Sequence, residues 1–185
     1  MKKVRILSGV LALCLLGFGT YLPAKASEDD FKVAEDLYRR GLYDESRTLF
    51  ESMPASPVSE GYIVLCALKT RSAGYDDLMG AYERKYGKTI LTSDIRLENA
   101  RLLFDDGLYA EAGLEFSKVA SSAISKQDMP EYVFKCAFCE YSLGRYSEAL
   151  QFLTLLDALE YSRYSAPGYY MQGLIQYNNE DFVSA

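Results

Sequence analysis

The sequence contains no histidine and no tryptophan among its 185 residues. Imidazole is the usual general base and a common metal ligand, so the absence of His excludes Ser-His-Asp and Cys-His nucleophile systems, HExxH zinc sites and imidazole ligation of haem or copper. Cysteine and proline are scarce, with four and five residues. The chain lacks the usual parts of most active sites, so we expect no catalytic activity, no metal and no cofactor.

Hydrophobic residues make up 49% of the chain and charged residues 25%, which is typical of a folded globular protein. The length allows one domain or one repeat array. Acidic residues outnumber basic ones by 26 to 20, which gives a formal net charge of -6. Such a surface should repel nucleic acid, so we expect no nucleic-acid partner.

Residues 1–26 have the pattern of a secretory signal peptide. Three basic residues precede an apolar stretch at 6–22, and Ala24-Lys25-Ala26 provides a small-x-small cleavage site. The apolar stretch has 17 residues, fewer than the roughly 20 of a spanning helix, which argues against an uncleaved anchor. We predict cleavage before Ser27, which leaves no transmembrane segment and places the chain in the periplasm, free or associated with the outer membrane. The mature chain would then carry a net charge of -10.

The four cysteines do not form a disulfide framework. Cys14 lies in the signal peptide behind a Leu that is too bulky for a lipobox, and the remaining three are an odd number. Cys136 and Cys139 form a CxxC, which is either a redox or metal pair or two small packing residues. We favour packing, because disulfide geometry within one helix is poor and no second pair completes a zinc site.

The sequence after residue 26 repeats one pattern five times. An aromatic residue recurs with spacings of 32, 34, 37 and 36 residues, at Tyr43, Tyr75, Tyr109, Tyr146 and Phe182. A period in the mid-thirties corresponds to one supersecondary unit that must stack on its neighbours. Apolar and small residues at three- and four-residue steps on both sides of each turn predict two helices per unit.

Glycine and small residues mark the same places in several units. Gly41, Gly107 and Gly144 lie between the two helical patterns, where a first helix must end in a left-handed conformation. Small residues share one position of the first helix, at Ala34, Cys66, Ala100, Ala137 and Gly173. Another set shares one position of the second helix, at Ser46, Ala112, Ala149 and Ala185. Such residues allow two helices to approach closely.

These motifs resemble the tetratricopeptide repeat, which has a small residue in its first helix, Gly-x-Tyr at the turn and Ala-x3-Phe in its second helix. Gly107-Leu108-Tyr109 and Ala112-Gly113-Leu114-Glu115-Phe116 match the last two elements. The likeness extends to exported tetratricopeptide proteins of Gram-negative, Bacteroidetes-type bacteria. It covers 27–185, with units at about 27–57, 58–91, 92–128, 129–164 and an incomplete 165–185. We expect that the chain is the N-terminal piece of a longer protein.

The resemblance implies an all-α fold, an α-solenoid of helix-turn-helix units wound into a right-handed superhelix. It also implies a concave groove, lined by the first helices, that holds a protein or peptide partner. The groove residues in the first helices would include Ile63 and Leu97. The aromatic groove residues would be Phe31, Tyr38, Phe104, Phe134, Phe138, Tyr141, Tyr170 and Tyr177.

The function implied is an exported scaffold for protein interactions in the cell envelope, with a basic partner favoured by the acidic surface. The same aromatic residues could instead pack adjacent units against each other. A module that binds glycans or cell-wall fragments is the alternative, since tyrosine-rich surfaces stack sugars. Neighbouring carboxylates such as Asp105-Asp106 point about 100° apart on a helix, which argues against a glycosidase.

Overall fold

The structure is a computed structural model that describes residues 28–178, for Ile90 the backbone only. This part of the chain is all-α, with nine α-helices, one 3₁₀ turn at Ser121–Ala123 and no strand. The helices are α1 Glu28–Arg39, α2 Tyr43–Ser52, α3 Pro57–Lys69, α4 Tyr75–Tyr86, α5 Ile90–Asp105, α6 Tyr109–Ser117, α7 Met129–Ser142, α8 Tyr146–Asp157 and α9 Ser165–Asn178. The predicted signal peptide at 1–26 and the repeat positions Phe182 and Ala185 lie outside the described residues.

The helices form consecutive pairs joined by short corners, as the repeat predicts. The aromatic residue that recurs in the sequence is the first residue of α2, α4, α6 and α8. Gly41, Gly107 and Gly144 have φ angles of 80°, 77° and 74°, so each corner glycine is left-handed. At the first corner the Gly41 N–H donates to the Tyr38 carbonyl, and the next N–H donates to the Leu37 carbonyl, both at 3.0 Å. These bonds satisfy carbonyls that the end of α1 leaves open.

The corner between α3 and α4 uses an arginine in place of glycine. Arg71 has a φ of 52°, and its N–H donates to the Leu68 carbonyl at 3.1 Å. The following Ser72 N–H donates to the Ala67 carbonyl at 2.9 Å, so the hydrogen bonds are those of the other three corners. This corner is two residues longer, and Gly74, with a φ of 80°, precedes α4. The left-handed conformation costs an arginine roughly 1 kcal/mol.

Small residues line the contact within each regular pair. Ala34, Ala100 and Ala137 in the first helices have no exposed surface, and neither have Ser46, Ala112 and Ala149 in the second helices. The hydroxyl of Ser46 also donates to the Ala34 carbonyl at 2.8 Å. A larger side chain at any of these positions would hold the two helices apart, so small size is what the fold requires there.

The units are joined through three buried clusters, each of which draws on three consecutive helices. One cluster joins α3, α4 and α5, the second joins α5, α6 and α7, and the third joins α7, α8 and α9. α2, α6 and α8 each pack on the first helix of the next unit, whereas α4 packs mainly on α3, and α3 packs directly on α5. The second unit therefore departs from the pattern of the others. A right-handed superhelix stays a prediction.

The tight contact within the third pair gives a first prediction. Ala112→Arg should lower the free energy of unfolding by about 3 kcal/mol or more, because it puts excess volume and an unpaired charge at a site with no exposed surface. Ala110→Arg is the matched control, since Ala110 is exposed on the same helix and should change stability by less than about 0.5 kcal/mol. Urea unfolding followed by circular dichroism measures both. Equal losses would show that α5 and α6 do not pack as described.

The corner glycines give a second prediction. Gly107→Ala should cost about 1 kcal/mol through backbone strain alone, because no atom lies within 4 Å of the added methyl group. Gly113→Ala in α6 should instead stabilise by up to about 1 kcal/mol, since its methyl group would meet the Cys139 side chain at an ordinary 3.5 Å. Thermal unfolding of the two variants provides the comparison, and a Gly107→Ala variant as stable as the parent protein would contradict the corner conformation.

Candidate binding surface on the first helices

Two adjoining depressions lie on the face formed by α1, α3, α5 and α7. The first has a volume of about 170 Å³ and lies between Tyr38 of α1, Tyr62 of α3 and Asp94 of α5. The second, of about 210 Å³, extends along α3 and α5 towards α7. Both are lined by Glu98 and Arg101, so they form one continuous surface. We call the whole the first-helix groove, the first depression the Asp94 end and the second the Lys135 end.

One face of α5 forms the floor of the groove. Asp94, Glu98, Arg101 and Asp105 follow each other at spacings of four, three and four residues, which places them on one side of a helix. Leucines of α3 and α5 fill the spaces between these polar groups, so the surface is mixed in character. The groove can therefore offer both apolar contact and charge to a bound segment.

Arg101 is the centre of an ion-pair network that joins α5 to α7. Its guanidinium lies 2.7 Å from Glu98, 2.9 Å from Asp128 and 2.8 Å from Glu131. Burial acts to lower the pKa of Arg101, but the charges of Glu98 and Glu131 outweigh it, and the pKa is raised overall. Arg101 is therefore a permanent cation, and three carboxylates balance its charge.

Lys135 extends the same network from α7. Its Nζ atom lies 3.2 Å from Asp105 and 3.2 Å from Glu131, and 4.8 Å from the centroid of the Phe104 ring. Lys69 of α3 pairs with Glu98 from the opposite side. Three consecutive first helices are thus connected by charged side chains at the groove floor, where buried ions need partners.

Asp94 differs from these neighbours because no described residue forms a hydrogen bond or ion pair with its carboxylate. Its side chain is exposed, but the loss of part of its hydration raises its pKa, and the charges of Glu98 and Asp128 raise it further, while Arg101 lowers it by less. The pKa of Asp128 is instead lowered, since hydrogen bonds from Ser125 and Arg101 outweigh its burial. The Asp94 end therefore has excess negative charge.

Two tyrosines form the wall opposite Asp94. The rings of Tyr38 and Tyr62 meet edge to face, with centroids 5.3 Å apart. The Tyr62 hydroxyl donates to Glu35 at 3.1 Å, and burial together with this carboxylate raises the pKa of Tyr62 to about 12. Burial and the charge of Glu98 raise the pKa of Tyr38, whose hydroxyl has no hydrogen-bond partner among the described residues. The Tyr38 hydroxyl is thus free to bind a ligand.

The eight aromatic residues that the sequence places in the groove lie in different surroundings. In the first unit, Phe31 packs on Phe50 at 5.6 Å and Tyr38 on Tyr43 at 5.4 Å. Of the eight, only Tyr38 lines the first-helix groove itself. Leu97 also lines it, although it is mostly buried.

Four more of these residues form an aromatic cluster in α5 and α7. Phe138 lies 5.4 Å from Phe104, 6.3 Å from Phe134 and 6.5 Å from Tyr141, measured between ring centroids. The structure thus brings these four together, and their rings also contact Tyr109, Tyr146 and Tyr164. In α9, Tyr170 and Tyr177 are 70% and 62% exposed.

Sequence reasoning missed the charged residues of the groove floor. Glu98, Arg101, Glu131 and Lys135 carry most of the network, and none stood out in the sequence. A usable signal is present in hindsight, because Glu98 and Arg101 are three residues apart and Glu131 and Lys135 four apart, within first helices. The pairs that join α5 to α7 span about thirty residues, and no local pattern indicates them.

The cysteines and the adjacent carboxylates that the sequence offers as candidate groups are buried or paired within the chain. Cys66, Cys136 and Cys139 are free and buried, and burial raises the pKa of the latter two thiols to about 12. Asp105 and Asp106 have different partners, Lys135 and Arg71. Between residues 28 and 178, no group of three or more Cys, Asp or Glu side chains is placed to hold a metal ion. Within the same range, no helix has the length and apolar character to cross a membrane.

The raised pKa of Asp94 gives a third prediction. The ionised form of Asp94 is disfavoured in the folded state. Asp94 therefore lowers the free energy of unfolding as the pH rises above 3.8, the ordinary pKa of an aspartate side chain. Asp94→Asn should therefore raise the free energy of unfolding at pH 7 by about 0.5 kcal/mol, a small gain because the side chain is partly exposed. The gain should vanish near pH 3, about one unit below the unfolded pKa.

Urea unfolding at the two pH values tests this, with Asp77→Asn as the control. Asp77 lies in the first turn of α4, where the helix dipole favours a negative charge, so its neutralisation should bring no gain. A loss of stability in Asp94→Asn at pH 7 would show that Asp94 has a favourable partner.

Comparison of the chain with family models, with curated proteins and with solved structures gave no match.

Proposed function

We propose that this protein is an exported helical-repeat scaffold that binds a segment of another protein in the first-helix groove and catalyses no reaction. The observation that carries the proposal is the continuity of the groove. Two depressions that share Glu98 and Arg101 extend over the first helices of successive units, on one face of the molecule. An elongated surface of this kind suits an extended or helical peptide better than a compact metabolite.

The repeated corners support the scaffold interpretation. The same pair of hydrogen bonds closes the first helix at Gly41, Arg71, Gly107 and Gly144. Similar corners are what a helical-repeat binding face requires, and α3 packs directly on α5. The resemblance to tetratricopeptide repeats agrees with this arrangement and remains part of the proposal.

Export to the periplasm rests on the pattern of residues 1–26. Three buried, free thiols suit an exported chain, because burial protects them from oxidation. The acidic surface of the mature chain favours a protein partner over nucleic acid. Association with the outer membrane would come from the partner.

Site-specific photo-crosslinking of the full-length protein in its own cells tests the proposal. A photoreactive residue at Arg71, at the exposed rim of the groove, should give a discrete protein adduct. The same residue at Leu114, which is 64% exposed on the second helix α6, should give none. Equal adducts from both positions, or none from the groove, would reject the first-helix groove as the binding surface.

A glycan-binding module is the second candidate, because Tyr161, Tyr169 and Tyr170 are 79%, 51% and 70% exposed near the last helix. A photoreactive residue at Tyr170 separates the two functions. A glycosidase-sensitive adduct there, together with no adduct from Arg71, would favour the glycan module over the scaffold.

A further inference from the structure

We propose that the Asp94 end of the groove is a pocket for a lysine or arginine side chain of the partner segment. The inference rests on the proposed function and specifies the chemistry that the groove selects. It combines a cavity of suitable size, aromatic and aliphatic walls, an unpaired carboxylate and an unpartnered hydroxyl.

The size and walls of the depression suit one long side chain. Its volume of about 170 Å³ corresponds to roughly five or six water molecules, which is close to the size of a lysine side chain. Leu65, Leu91 and Leu97 offer apolar contact to the aliphatic stem, and the Tyr38 and Tyr62 rings can face the cationic group. A short polar side chain would leave much of this space to water.

The charges around the pocket favour a cationic ligand. Asp94, Glu98 and Asp128 line it together with a single positive group, Arg101. Arg101 is already neutralised by Glu98, Asp128 and Glu131, so it does not balance Asp94. An incoming ammonium or guanidinium group would give Asp94 the counter-charge that the folded chain does not supply, and the Tyr38 hydroxyl could accept a hydrogen bond from it.

The arrangement also discriminates against other side chains. A carboxylate in this position would meet three others, and a neutral aliphatic group would cover Asp94 without pairing it.

A positional peptide library tests the pocket. The exported full-length protein is titrated with four labelled octapeptide pools that carry Lys, Arg, norleucine or Glu at one fixed central position and mixed residues elsewhere. Norleucine has nearly the shape of lysine without its charge. The Lys and Arg pools should bind about tenfold more tightly than the norleucine pool in fluorescence anisotropy, and the Glu pool should bind most weakly.

Two variants locate the effect. Asp94→Asn should lower the affinity for the Lys and Arg pools to that for the norleucine pool. The circular dichroism of this variant should remain that of the parent protein. Asp77→Asn makes the same chemical change on α4, outside the groove, and should keep the tenfold preference. Tyr38→Phe retains the ring and should weaken binding of the Lys pool by about two- to threefold, because only a hydrogen bond is lost.

Three results would overturn the pocket: equal binding of the four pools, no binding by any pool, or a preference for lysine that survives Asp94→Asn. None of these affects the crosslink expected at Arg71. A protein adduct at Arg71 without a lysine preference would leave the scaffold proposal in place and remove the pocket. If Arg71 gives no adduct that distinguishes it from Leu114, the proposed function itself fails.

Discussion

The close approach of two helices at small, buried residues is the constraint on which this structure depends. Ala100 and Ala112 meet in one pair and Ala137 and Ala149 in another, all without exposed surface. Each corner then closes through the same two hydrogen bonds, so the geometry of a unit is set locally. A substitution that holds one pair apart would therefore act first on that pair and on the helices packed against it.

The junction between α5 and α7 is held by a different interaction. Beside the buried cluster that α5, α6 and α7 share, an aromatic pair, Phe104 with Phe138, and ion pairs from Arg101 and Lys135 cross between α5 and α7. Buried charges destabilise a fold unless each has a partner, and both cations here have at least two carboxylates within 3.2 Å. Charged pairs can hold the two helices in register while the floor between them stays polar enough to receive a ligand.

The sequence predicted the parts of the fold that local residues determine. The recurring aromatic residue marks the first residue of α2, α4, α6 and α8, and three corner glycines are left-handed. The corner at Arg71 was not foreseen, because arginine has no preference for the left-handed conformation that it adopts there. The groove floor was missed for a related reason, since its ion pairs join helices about thirty residues apart.

The charge distribution along the first-helix groove is uneven. Three carboxylates and one guanidinium line the Asp94 end, whereas four cationic and three acidic groups line the Lys135 end. Arg71 at the Lys135 end is paired with Asp106, which leaves that end close to neutral, whereas the Asp94 end has a net charge of -2. Apolar contact alone would allow both orientations, because leucine side chains do not distinguish chain direction. If the proposed function holds, a preferred orientation would have to come from the polar groups, above all from the charge imbalance at Asp94.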